Sequence, residues 1–318
     1  MALELNSATA QKLFVTFQAI FNETYTAVPT FYQEFASEIP SGSTTQLHHW
    51  LGQLPSMRQW IGDRVVHAPA LRDYTLTNLN FENTIALNKF KIADDQYGAF
   101  GPTVKLFADA CKRWPDEQMA AAVEAATTAL CYDGQAMFAT AHPVSTTDST
   151  QGTYSNKLVG ATYDWAADPI GAWQRGSEAM AAFVGDSGKP LALVADTVMV
   201  PPQLRRWAVQ AAKAELVPQT FTSNSNANAS AAGVGNVYVG DFTVIVNPYL
   251  TSTAAYIMCR NRPVKPFVWQ LRQAPVFTPA IDPALPNVFY GQELVYGAEA
   301  RGVAGYSLPW LAIRMSAS

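Results

Sequence analysis

Apolar and polar positions divide the chain into stretches of different period. Leu13, Phe14, Phe17, Ile20 and Phe21 recur at helical spacing behind Ser7, a residue type that caps helices. The stripe ends before Pro29. Phe31, Tyr32 and Phe35 follow, then Pro40 and the run Ser41–Thr45, which is too polar to build a core and reads as a linker. Residues 1–45 are therefore expected to form an arm. Its apolar stripe needs a partner surface, on its own domain or on another chain. Residues 46–70 hold Trp50, Leu51, Leu54, Met57, Trp60 and Ile61, a compact aromatic segment with room for a short helix after Pro55. From 74 to 92 the period becomes two. Thr75, Thr77, Leu79 and Phe81 alternate with Leu76, Asn78, Asn80 and Glu82, and Ile85 and Leu87 continue the pattern. Polar residues fall on both faces, so a strand pair here is weakly specified by its own domain and suits packing on something else.

Helical spacing returns over 103–130. Val104, Phe107, Ala108 and Cys111 share a stripe that Met119, Val123, Ala126 and Leu130 continue. Pro115 sits in the middle, with Asp116 and Glu117 placed as in a first turn. One helix kinked at Pro115, or two meeting there, is expected. Leu191–Val194 and Val198–Val200 are strand candidates. Pro201-Pro202 opens a helix with Leu204, Trp207, Ala208 and Ala211 on one face. Residues 222–235 are a Ser/Asn/Ala/Gly loop, and Val237–Val239 and Phe242–Val246 flank Gly240-Asp241 as in a hairpin. Val288, Tyr290, Leu294, Tyr296, Ala298 and Ala300 line a long strand, Gly302 and Gly305 mark a turn, and Leu308–Met315 return. This order gives an α+β architecture of interleaved segments without internal repeats.

Composition adds one constraint. Only 14% of the 318 residues are charged and 49% are apolar, against about 25% charged in an ordinary soluble domain. A monomer of this size needs a charged coat for solubility, so the surface lies either in a membrane or under partners. A spanning helix needs about 18 consecutive apolar residues. The nearest runs, around Leu191–Val200 and Ala120–Leu130, are broken by Asp196 and Glu124. Glu4, Lys12, Thr16 and Gln18 spoil a secretory pattern at the N-terminus, so a protein made and kept in a cytoplasm is expected. A net charge of −4 without a basic stripe argues against a dedicated nucleic-acid binder. Cys111, Cys131 and Cys259 form no CxxC pair, which argues against a disulfide framework or a zinc ribbon.

The sharpest catalytic pattern is Gly185-Asp186-Ser187-Gly188 with Thr140-Ala141-His142, which echoes serine proteases, where a His takes the serine proton and a carboxylate orients the His. His142 and Ser187 are too close in sequence for that fold, Lys189 replaces a glycine, and Pro143 follows the His. A turn and a loop histidine are the plainer reading. Cys131 follows a helix end, where the dipole disfavours a thiolate, so it is expected to be a buried structural cysteine. His48 and His49 are adjacent and point apart, and Asp94-Asp95 reads as a solvated turn. Pro190 after Gly188-Lys189 breaks a phosphate-loop pattern, and Gly233-Val234-Gly235 opens no helix. No catalytic residue, metal or cofactor is indicated.

Four segments carry a family resemblance. The first is Trp50-Leu51-Gly52-Gln53-Leu54-Pro55 with Arg58, Trp60, Ile61, Gly62 and Asp63. The second is Tyr74, Leu76, Asn78, Phe81, Glu82 and Thr84, then Ile92, Asp94, Asp95, Tyr97 and Gly98. The third is Cys131-Tyr132-Asp133-Gly134-Gln135 with Phe138, Thr140, His142 and Pro143. The fourth is Leu294, Tyr296-Gly297-Ala298, Ala300-Arg301-Gly302, Gly305 and Tyr306. Together they resemble the Mu-like phage major head subunit family, the gpT proteins, from about residue 10 to the end.

The resemblance implies a major capsid protein of the Hong Kong 97 fold. Residues 1–45 would be the N-terminal arm. Residues 46–100 would contain the extended loop, with Tyr74–Ile92 as its strands, and 101–130 the spine helix of the peripheral domain. Residues 131–250 would be mainly axial domain, and 251–318 the peripheral β region with the C-terminal return. The function implied is structural. Copies would form the hexamers and pentamers of an icosahedral shell around double-stranded DNA, without sequence-specific binding. Scaffold, portal and decoration proteins would be partners, no membrane would be involved, and assembly in the bacterial cytoplasm would lead to a virion. An encapsulin-like compartment is the alternative, and a serine hydrolase using Ser187 and His142 a remote one. Lys89 and Lys91 lie near the loop, but no motif positions a glutamate to cross-link them. Inter-subunit contacts are expected at Phe14, Phe17, Phe21, Phe31, Phe35, Trp50, Trp60, Tyr74, Leu79, Phe81, Ile85 and Leu87. The uncharged surface should concentrate on the arm, on 46–70 and on Tyr74–Ile92, and deletion of 1–45 should leave a folded core.

Overall fold

The computed structural model describes residues 7–51, 71–94, 100–145, 149–185, 188–218 and 233–317. Helix α1 (Ser7–Ala27) is followed by strands β1 (Ala36–Pro40), β2 (Thr45–Leu51), β3 (Leu71–Thr77) and β4 (Leu79–Asn88), and by the long helix α2 (Phe100–Ala125). The middle of the chain contributes β5 (Lys157–Val159), α3 (Pro169–Ala181), β6 (Thr197–Val200), α4 (Arg205–Lys213) and β7 (Thr243–Val246). Strands β8 (Ala255–Met258), β9 (Phe267–Ala280), β10 (Glu293–Tyr306) and β11 (Ala312–Ser316) complete the order.

The strands form two main sheets and a separate hairpin. A four-stranded sheet has the order β1-β9-β10-β4, with β1 parallel to β9 and the rest antiparallel. A five-stranded mixed sheet has the order β7-β6-β8-β11-β5. Among the described residues, strands β2 and β3 pair only with each other, from Thr45 opposite Thr77 to Leu51 opposite Leu71. The architecture is α+β with interleaved segments, as the pattern implies. The five-stranded sheet is completed by β8 and β11, which come from the C-terminal quarter of the chain.

Helices α1 and α2 cover one face of the four-stranded sheet. Phe17, Phe21, Val104, Phe107 and Cys111 pack there on Phe277, Leu294 and Tyr296, with Phe21 stacked on Phe277 at 5.0 Å and Phe17 edge-on to Tyr296 at 5.5 Å. Such aromatic pairs contribute about 0.5–1.5 kcal/mol each beyond area burial. Further along α2, Trp114 lies between Phe81 and Trp269, at 4.9 Å from each ring. Helices α3 and α4 bury Trp173, Met180, Ala208 and Ala211 with Val198, Ile257 and Ile313 of the other sheet.

Several local expectations are corrected. Of the two readings for 103–130, one helix through Pro115 holds, but α2 ends at Ala125, short of 130, and Leu130, expected on its buried stripe, is 62% exposed. The proline removes one donor from the ladder, and Trp114, Pro115 and Asp116 are buried around it. Residues 7–40 do not form a detached arm. Phe35 is fully buried and β1 is a strand of the sheet, so deletion of 1–45 would open the core instead of sparing it. Thr45–Leu51 is a strand, while 52–70, with Trp60 and the short helix expected after Pro55, lies outside the described residues. Tyr74–Ile92 is not a strand pair. Strands β3 and β4 are consecutive, and each pairs elsewhere. Leu191–Val194 is not a strand, since Ala192 has φ 51° and Val194 faces solvent. No hairpin spans 237–246, because β7 pairs in parallel with β6. Gly302 and Gly305 stand inside β10, not at a turn. A Cβ at Gly302 would meet Gln270 O at 2.8 Å and Trp269 at 3.1 Å, and one at Gly305 would meet Leu76 at 2.6 Å, so close approach is what requires glycine there.

Candidate functional site

The catalytic pattern becomes a structural brace. His142 is fully buried, with Nδ1 2.6 Å from Asp133 Oδ2 and Nε2 3.1 Å from Asn156 Oδ1. Asn156 Nδ2 donates to Met137 O at 2.7 Å and Pro309 O at 2.9 Å, and its Oδ1 also accepts from Ala139 N at 2.9 Å. A triad needs Nε2 to face a nucleophile. Here that atom is engaged by an amide inside the core. Ser187 lies outside the described residues.

The cysteines are also interior groups. All three are buried and free, and Cys131 donates to Ser307 O at 3.3 Å. Burial pushes the Cys131 thiol well up and that of Cys111 to about 11, the opposite of an activated nucleophile. Among the described residues no three His, Cys, Asp or Glu side chains gather as a metal site, and no helix is long and apolar enough to cross a membrane.

The proposed contact residues divide by position. Phe17, Phe21, Phe35 and Leu87 are buried within their own subunit. Their aromatic stripe found a partner in the chain's own sheet. Phe14 is half-buried, stacked on Phe277 at 5.9 Å, and Phe31 stacks on Tyr249 at 6.5 Å. Phe81 and Ile85 are half-buried on the inner face of β4. Tyr74 is half-buried, its hydroxyl accepting from Tyr306 N at 3.4 Å, and burial pushes its phenol up to about 12. Leu79 is 53% exposed. Trp50 stands on β2 opposite Arg72.

Open apolar side chains occur elsewhere as well. Leu106, Leu130, Val194, Leu216, Val237 and Tyr290 are between 62% and 81% exposed. The sequence signal for Leu106 was legible: it falls off the stripe of Val104, Phe107, Ala108 and Cys111, on the solvent side of the same helix.

Two carboxylates tie α2 to the rest of the molecule. Asp116 is buried and accepts from Phe31 N at 3.1 Å and Tyr32 N at 2.8 Å, while its second oxygen has no partner. Burial holds this carboxyl above the usual range despite those bonds. Glu124 accepts from Thr251 N, Thr251 Oγ1 and Ser252 N. Burial acts to raise it, but these donors outweigh burial and hold it below the usual range.

Comparison with known proteins follows the same lines. A model of the family described as Mu-like prophage major head subunit gpT matches residues 10–167 and 249–318. The Mu-like prophage FluMu major head subunit of Haemophilus influenzae is 32% identical over 48% of this chain and 49% of its own length. The major capsid protein of Escherichia phage Mu is 26% identical over 43% of this chain and 45% of its own length. The matches thus span about half the length of these curated relatives. The procapsid of bacteriophage JBD30 superposes over 98% of this chain and 75% of that chain, with a TM-score of 0.57 and 24% identity. The fold is that of phage capsid proteins of the Hong Kong 97 type.

Proposed function

The chain belongs to the Mu-like prophage major head subunit gpT family, and from that premise we propose that it is the major capsid protein of a tailed phage. The family match over most of the chain carries this reading. The role is structural, not enzymatic, and the protein resides in the virion shell. Open apolar side chains such as Leu79 and Leu106 fit a subunit finished by its neighbours. The compartment-shell alternative shares the fold, and membership in a head-subunit family favours the phage. The buried His142, engaged on both ring nitrogens, speaks against the hydrolase.

The finer assignments belong to the same proposal. Hexamers and pentamers enclose double-stranded DNA, with scaffold, portal and decoration proteins as further partners. Residues 1–45 act as the arm, packed on its own subunit before assembly, and 46–100 contain the extended loop, whose paired strands are β2 and β3. Residues 101–130 hold the spine helix, 131–250 most of the axial domain, and 251–318 the peripheral β region and the return. Phe14, Phe31, Trp50, Trp60, Tyr74, Leu79, Phe81 and Ile85 remain the proposed contacts. Electron microscopy of the expressed protein, alone and with its scaffold, tests the reading. Shells, tubes or capsomers are expected, and a chain that stays monomeric under all assembly conditions would refute it.

A further inference from the structure

The two edges of the four-stranded sheet are built differently. Strand β1 is short, carries Glu38, and ends on Pro40, which has no N–H to offer. These are devices that keep an edge from pairing with another chain. Strand β4 has ten residues, Leu-Asn-Phe-Glu-Asn-Thr-Ile-Ala-Leu-Asn, with no proline and no lysine. Its one charge, Glu82, accepts from Thr84 Oγ1 at 2.6 Å within the strand.

The register fixes which backbone groups are free. Lys89 N donates to Gln292 O, and Asn88 stands opposite Glu293, with the β4–β10 ladder unbroken to Leu79 opposite Gly302. In an antiparallel ladder this phase makes Leu79, Phe81, Asn83, Ile85 and Leu87 the residues that exchange bonds with β10. Asn80, Glu82, Thr84 and Ala86 then turn their N–H and C=O groups outward, and their side chains are exposed too. Among the described residues β10 is the only neighbour of β4 in the sheet.

We propose that the outer edge of β4 pairs, strand to strand, with an extended segment of a second copy of this chain. Leu79, the first residue of the strand, is 53% exposed, an apolar side chain left open beside the bare edge. The edge is long, nearly uncharged and unguarded, as a surface covered in the assembled state can be. The identity of the partner rests on the head-subunit reading above.

Hydrogen exchange on wild-type shells and on dissociated subunits tests the pairing. The amides of Asn80, Glu82, Thr84 and Ala86 are expected to exchange about 100-fold more slowly in shells. Thr84→Pro and Ala86→Pro each delete one outward donor and no ladder bond, a placement that edge strands tolerate. Both should fold, by circular dichroism and melting, yet assemble poorly where wild type and Thr84→Val assemble. Shells whose four amides exchange as fast as in free subunits would overturn the edge while leaving the head-subunit reading intact. Normal yields from both proline variants would do the same. If wild type forms no shells, the head-subunit reading fails, and the pairing with it. Should a proline variant unfold, the exchange comparison on wild type decides alone.

Discussion

Strands β6 and β8, at the middle of the five-stranded sheet, are buried at every position, whereas β4 of the four-stranded sheet alternates and leaves one face open. The first pattern belongs to a sheet covered on both sides, read in sequence as continuous apolar runs. The second belongs to a sheet with one packed face and one exposed face. One face of the five-stranded sheet is closed by α3 and α4, and the other, through Met199, Tyr256 and Met258, shares a core with Trp114, Phe267 and Trp269. The four-stranded sheet is packed beneath by α1 and α2 but keeps an open outer face and a bare edge. Interior substitutions in the first sheet should be costly to the subunit, and substitutions on the outer face of the second should be felt mainly on assembly.

The largest expected effect is at Ile257, fully buried in β8. Ile257→Ala should cost about 2–5 kcal/mol in chemical denaturation, and a loss below about 1 kcal/mol would break the contrast. Asp116 comes next. Asp116→Ala removes the acceptor of Phe31 N and Tyr32 N and should cost about 1–3 kcal/mol. Because the folded-state carboxyl is raised, its ionisation opposes folding, and stability falls as pH rises through the folded value. Asp116→Asn keeps an acceptor, so its melting temperature should gain on wild type from about pH 4 toward 7. An unchanged difference across that range would contradict the assignment.

Glu124 has the opposite sign. Its carboxyl is depressed, so its contribution is present above the ordinary carboxylate range and lost as pH falls through the folded value. Glu124→Gln should cost less than about 1 kcal/mol at neutral pH, the group being mostly solvated, and nothing in acid. Thermal melts across pH read both. The smallest effect on the subunit belongs to Leu79→Ser, within about 0.5 kcal/mol in denaturation, with a loss of shell yield in sedimentation. A variant that melts early and assembles normally would reverse the comparison.

Elements with one buried stripe were legible in the sequence. The stripes through Phe17 and Phe21, and through Val104, Phe107 and Cys111, became α1 and α2, and the alternation from Leu294 to Ala300 became β10. Val288 and Tyr290, expected on the same strand, precede it, Val288 in the helical turn Pro286–Phe289 and Tyr290 just after that turn and exposed. What a stripe cannot reveal is whose surface it meets. The arm aromatics predicted to reach a neighbour found Phe277 and Tyr296 of their own chain. The pairing of β2 with β3 escaped because polar residues occupy both faces, which leaves partner and register open. Gly302 and Gly305 were misread because a glycine needed for close approach looks like a glycine needed for a turn. The catalytic decoy at His142 could be settled only by seeing Asn156 against Nε2. The edge of β4 depends on ladder phase, which no single strand encodes.

The junction at Asn78 has a mechanical consequence. Its side chain donates to Ser41 Oγ at 2.9 Å and Ser43 O at 2.8 Å, and accepts from Gln270 Nε2 at 2.9 Å. Strand β3 therefore passes into β4 through a pinned joint, without a slack loop between them. Tension applied to the hairpin travels along the strand axis into the β4–β10 ladder. There it meets the hydrogen bonds at right angles, so they share the load in shear and do not give way one at a time. A hairpin anchored in this way behaves as a tie rod of the subunit, able to take up strain without peeling from the sheet.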